Sequence, residues 1–235
     1  SHGPRGASLG LTGVGLGRIR AESAFAVHLQ MIVLAAFIAW CSLEVTGFSF
    51  GKNNNLFHIP YVMRFIERPE FATDAFVRTL EQFTSAVWPP IRALASYFDP
   101  QSIFFVAHVA NRFLTVWTLV LLARTCGLGV LGSAGVALLV TTSMTLLVDS
   151  PVARHEMSTD YFTQSIVTWP LIFLFYRSLL VGGFRFAAVA LALIFDVNAF
   201  VAFWMLAVAA CQRGGEFWRS PRKTQIQSAL LFLLI

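Results

Sequence analysis

Two stretches of this chain, residues 24–43 and 125–148, carry no formal charge. Nothing else in the sequence constrains the fold as much. Roughly 20 consecutive apolar residues suffice to cross a bilayer core as a helix, and two such blocks are hard to place inside one short soluble core. Composition agrees, with 57% hydrophobic and 12% charged residues against about 25% charged in an ordinary soluble domain. The expected fold class is all-α: a polytopic transmembrane helical bundle with amphipathic surface helices in its first extracytoplasmic loop.

Spans are expected at about 24–43, 103–123, 128–148 and 161–176, then a segment at 186–211 and a truncated one at 226–235. No Met begins the chain, and it stops inside that last apolar run, so a further C-terminal part is expected. Residues 1–23, with Gly13, Gly15 and Gly17, read as a flexible tail, since no strand precedes these glycines as a dinucleotide turn requires. The first apolar block is too long for a cleaved signal peptide, and no small-residue cleavage site follows it. Arg124, Arg177 and Arg185 stand in loops on one side, and an acidic loop at 149–160 lies on the other. The positive-inside rule then puts the tail and the Arg loops in the cytoplasm, with the acidic loop and the long loop 44–100 outside. Segment 186–211 leaves two readings open. One crossing would strand Arg213, Arg219, Arg222 and Lys223 outside. Asp196 and Asn198 divide the segment instead into two halves, and a pair that enters and returns keeps the cluster inside.

In the outer loop Phe76, Val77, Leu80, Phe83 and Val87 recur at helical spacing after Asp74, a natural N-cap. The expectation is one amphipathic helix on the membrane surface, ended by Trp88-Pro89-Pro90, with the Trp at headgroup level. Net charge is +5, but the basic residues are dispersed beside spans. They suit membrane lipids as partners, and no nucleic acid is expected. Cys41, Cys126 and Cys211 form no CxxC pair.

Arg112 falls near the centre of the second span, with Asn111 beside it and His108 on the same face one turn earlier. A charge at that depth costs roughly 2.5–3.5 kcal/mol on insertion scales, so it faces a cavity or a partner, unless it snorkels to the outer headgroups. Asp196 belongs to a polar site with Asn198 or caps a half-helix. His155, Glu156 and Asp160 lack the spacing of a metal site, so neither metal nor cofactor is expected. Asp160 is also an N-cap candidate for the fourth span. The run Asn53, Asn54, Asn55 through His58 reads as a polar turn or as a loop that binds sugar or phosphate.

The order of parts resembles the GT-C superfamily of polyprenyl-phosphate-sugar-dependent membrane glycosyltransferases. The residues that carry the resemblance are Asn111-Arg112-Phe113-Leu114-Thr115-Val116-Trp117 in the second span and His155-Glu156-Met157-Ser158-Thr159-Asp160-Tyr161-Phe162 before the fourth. It implies a multi-pass protein of a bacterial inner membrane, N-terminus cytoplasmic, that moves a sugar from a polyprenyl-phosphate donor to an extracytoplasmic acceptor. It further implies Asp160 at the catalytic site, Asp74 or His58 serving the acceptor, and Arg112 on the donor phosphate. His108, Asn54, Asn55 and Glu156 would complete the substrate site. Where the family carries its acidic motif this chain has Asn53, Asn54 and Asn55, and an amide cannot take a proton from a hydroxyl. Two alternatives follow: a transporter with His108, Arg112 and Asp196 along its pathway, and a non-enzymatic scaffold that has lost the acidic motif.

Overall fold

The computed structural model describes residues 12–81, 85–143, 157 and 159–219, with side chains from 24 to 79, 85 to 143, 157, and 159 to 211. It is all-helical, with no strand among the described residues. The order is α1 (Thr12–Thr46), α2 (Asn55–Val62), two 3-10 turns (Phe65–Glu67 and Pro69–Phe71), α3 (Ala75–Glu81), α4 (Trp88–Leu94), α5 (Pro100–Thr125), α6 (Val130–Thr142), α7 (Gln164–Leu180), α8 (Phe184–Val197) and α9 (Ala199–Arg219). The Ala24–Thr46 part of α1 and the whole of α5 are long and apolar enough to cross a membrane.

Several boundaries differ from the sequence reading. Helix α1 begins at Thr12, inside the stretch expected as a tail, because a helix already nucleated extends at little cost. The third apolar block is helical over Val130–Thr142, and 144–150 lie outside the described residues, as do 226–235. The fourth starts only at Gln164, because Thr163 is extended at φ −149° and ψ 158°. Segment 186–211 is two helices broken at Asn198 (φ −157°, ψ 95°). There the Asn198 Oδ1 accepts from the Val201 N–H at 3.3 Å. Asn198 is therefore the cap, and Asp196 sits in the last turn of α8. Ser85 Oγ donates to the Val197 carbonyl at 2.8 Å and the Ala86 N–H to the Asp196 carbonyl at 2.9 Å, so residues 85–86 satisfy the open end of α8.

The expected surface helix is also two elements. Asp74 Oδ1 accepts from the N–H groups of Phe76 and Val77 at 2.8 and 3.3 Å, and the α3 that it caps runs only to Glu81. Phe76 is exposed and Val77 partly buried; the Leu80 side chain and Phe83 lie outside what is described. Trp88-Pro89-Pro90 opens α4 rather than closing a helix, since proline is tolerated in a first turn, where the missing N–H would have had no partner. Trp88 is 1% exposed, packed inside the protein. Its ring contacts Phe104 and Phe162, and its Nε1–H donates to Gln164 Oε1 at 3.1 Å.

Two clusters hold the molecule together. The larger joins α1 (Met31, Ala35, Ile38, Ala39), α5, α6, α7, α8 and α9, with Ala134, Ala137, Ala187, Ala190, Ala202 and Ala209 at the contacts. Small residues let helix backbones approach closely. Other bulky apolar side chains of α1 point the other way: Ala35 is fully buried while Phe37 and Trp40 are each 62% exposed. The smaller cluster, Val62, Trp88, Ile91, Ile103, Phe104, Phe162 and Ile166, seats α2 and α4 on the first turns of α5 and α7.

Candidate functional site

Helix α5 starts with Asp99 accepting from the Ser102 N–H at 2.9 Å and Pro100 in its first turn, which sets the rotation of all that follows. On its inward face lie His108, Asn111, Arg112 and Thr115, all buried. Arg112 is 3% exposed and does not snorkel. One terminal nitrogen donates to Ser42 Oγ at 3.1 Å. The other donates to Thr46 Oγ1 at 3.2 Å and to the Thr159 carbonyl at 2.7 Å, and lies 3.4 Å from His108 Nε2. Among the described residues no carboxylate is within ion-pair distance of this guanidinium. The cation is solvated by three neutral oxygens and an imidazole.

The contact with His108 fixes its tautomer. A guanidinium has no acceptor, so Nε2 accepts and the proton of a neutral ring resides on Nδ1. His108 is fully buried, and its Nδ1 has no hydrogen-bond partner among the described residues. Buried polar atoms are paired in the great majority of cases, so an orphan donor one turn from an uncompensated cation stands out. Asn111, beside them, donates Nδ2–H to the Ile166 carbonyl at 3.0 Å and ties α5 to α7.

Asp160 follows Thr159, the residue whose carbonyl Arg112 holds. It does not cap the fourth span: Thr163 occupies the N-cap position of α7. Its Oδ2 accepts from Ser49 Oγ at 2.9 Å and from Lys52 Nζ at 2.7 Å, and its carbonyl accepts from the Ser49 N–H at 2.5 Å. Burial pushes this carboxyl group up, but the hydrogen bonds and charge from Lys52 and Ser49 outweigh it and hold the group below the usual carboxylate range. It is a fixed anion and a weak base.

The other expected site residues fall in different places. His58, 5% exposed, stacks on Trp88 with ring centroids 4.1 Å apart, and burial lowers its pKa to about 4. It is a buried part of the outer cluster. Asp74 is exposed, and its Oδ1 caps α3. Asn54 is exposed before α2 and makes no side-chain cap. Asn55 is fully buried, with its amide oxygen and nitrogen both unpaired among the described residues; sequence gave no sign of this, because an Asn in a polar run looks solvated. Glu156 lies outside the described residues. Asp196 lines a separate cavity of about 460 Å³ between α7, α8 and α9, walled by Phe175, Phe184, Phe195 and Phe203.

The residues brought together are thus Arg112, His108, Ser42, Thr46, Thr159 and Asp160. Ser42 and Thr46 carried no signal of their own; only their spacing of one helical turn at the end of α1 marks them as a pair that shares a face. No group of three or more His, Cys, Asp or Glu able to hold a metal is present among the described residues. The chain matches no protein-family model, no curated protein and no solved structure.

Proposed function

We propose that the chain is a multi-pass integral membrane protein with a GT-C-like layout, and that it transfers a sugar from a polyprenyl-phosphate donor to an extracytoplasmic acceptor. The observation that carries this reading is Arg112: a buried cation whose partners among the described residues are all neutral, beside a buried His108 Nδ1 with no partner among the described residues. A planar guanidinium takes two oxygens of a phosphate, and fixed donors stabilise charge that develops on a leaving phosphate. Of the three residues expected at the catalytic site, Asp160 is the one beside this group, and as a fixed anion it would orient the acceptor hydroxyl, with Asp74 and His58 serving the structure.

The membrane part of the reading is supported by two apolar helices of sufficient length and by the outward array of large apolar side chains, which extends from α1 to Leu131, Leu139, Phe186, Val189, Phe200 and Phe203. Exposed apolar area on that scale suits lipid. The break at Asn198 lies against residues 85–86 of the outer loop, which favours a helix pair that enters and returns, with the N-terminus and the Arg-rich loops cytoplasmic.

The test is Arg112→Gln in the full-length protein in membranes. Binding of a polyprenyl phosphate and transfer of its sugar are measured side by side with the parent, and loss of both with the fold retained is the expected result. Undiminished binding would remove the basis of the proposal. A non-enzymatic scaffold is the second reading, favoured by one observation: the carboxylate of Asp160 is already engaged by Lys52 and Ser49. A scaffold would lose little beyond stability in the same variant.

A further inference from the structure

The break between α8 and α9 leaves one carboxylate unmatched. Asp196 stands in the last turn of α8. Its backbone carbonyl accepts from the Ala86 N–H, but its side chain is exposed and meets no hydrogen-bond or ion-pair partner among the described residues. The capping of α9 falls to Asn198, whose Oδ1 takes the Val201 N–H. Nothing described in the fold uses this charge, and an ionisable group set among apolar helices marks a site whose partner has to be named.

The carboxylate lies at the joined end of the cavity between α7, α8 and α9. Its volume of about 460 Å³ falls in the range of small-molecule sites. From Asp196 and Ala199 at the break, the walls follow both helices to Phe184 at the start of α8 and Ala209 in α9, where Leu179 from the last turn of α7 joins them. The stretch of α8 from Phe184 to Asp196 is about 18 Å long at the helical rise. Every other lining side chain is apolar, so the polarity is confined to one end. Phe195 and Phe203 in the walls are 62% and 65% exposed, and the cavity is therefore reached from a face that the membrane reading gives to lipid. Residues 224–235, which contain the next apolar run of the chain, hold no cation and would leave the carboxylate unmatched.

The geometry points to a binding site for a lipid amine, with one long alkyl chain lying along α8 and α9 and its ammonium head on the Asp196 carboxylate. An ammonium brings three N–H donors to a group that only accepts, and hydrogen bonds between ionised partners are the strong ones. A neutral head leaves the charge unpaired, and an anionic head is repelled. The site rests on the membrane reading of the chain and not on sugar transfer. Arg112 is not among its walls.

The test is photolabelling of the full chain, purified in detergent, with three diazirine-bearing probes of one chain length: tetradecylamine, tetradecanol and tetradecanoate. Labelled positions are mapped by mass spectrometry, and unlabelled tetradecylamine serves as the competitor. The amine should label the α8 and α9 walls saturably, with an apparent affinity about tenfold above that of the alcohol. Asp196→Asn, which keeps the shape of the cavity, should bring the amine down to the level of the alcohol. Ala192→Leu, which fills the slot, should weaken amine and alcohol together and leave their order unchanged. Equal labelling of the walls by all three probes in the parent overturns the proposal, because the cavity is then an apolar surface open to any chain. Amine labelling that Asp196→Asn leaves unchanged overturns it as well. So does an absence of saturable labelling, and cross-linking of two copies through Ala192→Cys, with Cys41, Cys126 and Cys211 replaced, would then assign the slot to a second copy. If Asp196→Asn does not fold, the series of head groups on the parent decides alone. Failure here leaves the membrane reading standing, since cysteine labelling from the two sides judges that separately.

Discussion

Replacing Arg112 by Met isolates what the guanidinium does for the fold. Methionine is unbranched and adaptable, so it fills most of the vacated volume without a cavity. The hydroxyls it deserts keep other bonds: Ser42 Oγ still donates to the Thr141 carbonyl at 3.1 Å, and Thr46 Oγ1 to the Ser42 carbonyl at 3.0 Å. The Thr159 carbonyl loses the one partner seen for it, the 2.7 Å bond from Arg112, while His108 Nε2 loses a contact of 3.4 Å, at the outer limit of a hydrogen bond. A buried group left unsatisfied costs about 1–3 kcal/mol, and removing a buried cation gives back part of its desolvation. The net expectation is a modest loss of at most about 3 kcal/mol. At roughly 2–4 °C per kcal/mol for a chain of this size, that is a fall in Tm of less than about 12 °C. The assay is thermal unfolding of the purified full-length protein in detergent, with binding of an anionic phospholipid measured on the same samples. A small change in Tm with lost binding marks Arg112 as kept for a ligand. A collapse of the fold, or unchanged binding, would show that the residue is a structural support and refute the reasoning.

Four further outcomes are expected. His58 takes up a proton only near pH 4 when folded but near 6.5 when unfolded, so its contribution is complete above about pH 6.5 and is lost as pH falls toward 4. The total is roughly 3 kcal/mol, and in His58→Phe, which keeps the stack on Trp88, equilibrium unfolding followed from pH 7 to 4 should show a shallower decline. Asp160 is held below the usual carboxylate range, so its bonds to Ser49 and Lys52 are present above that range and lost as pH drops through the lowered value; equilibrium unfolding followed into acid should show a shallower decline in Asp160→Asn than in the parent. Asn198→Ala removes the cap on α9 and should cost about 0.5–2 kcal/mol in chemical denaturation, whereas Asp196→Asn should cost less. For topology, single cysteines at residue 54 and residue 124 should be labelled from outside and from inside respectively, and the reverse pattern would invert the assignment.

The sequence by itself determined what is local. The uncharged blocks are helical over Ala24–Thr46 and Val130–Thr142, Asp74 caps α3 because a carboxylate at that spacing meets two free N–H groups, and the polar pair at 196–198 marks the break between α8 and α9. The cost of a charge amid an apolar run turned Arg112 inward. What the guanidinium meets there was decided by tertiary structure: Ser42 and Thr46 lie 70 and 66 residues away, and Thr159 lies 47 away. The carboxylate of Asp160 likewise finds Ser49 and Lys52 across 111 and 108 residues. Helical periodicity says which face a residue occupies, but not which helix lies opposite, so no reading of spacing reaches such pairs. Trp88 shows the same limit. Its sequence neighbours Pro89 and Pro90 suggested a helix end at the membrane surface, yet prolines fit a first turn as well as they fit a stop. Only the docking of α4 on α5 and α7, which buries the ring beside His58, Phe104 and Phe162, selects between the two.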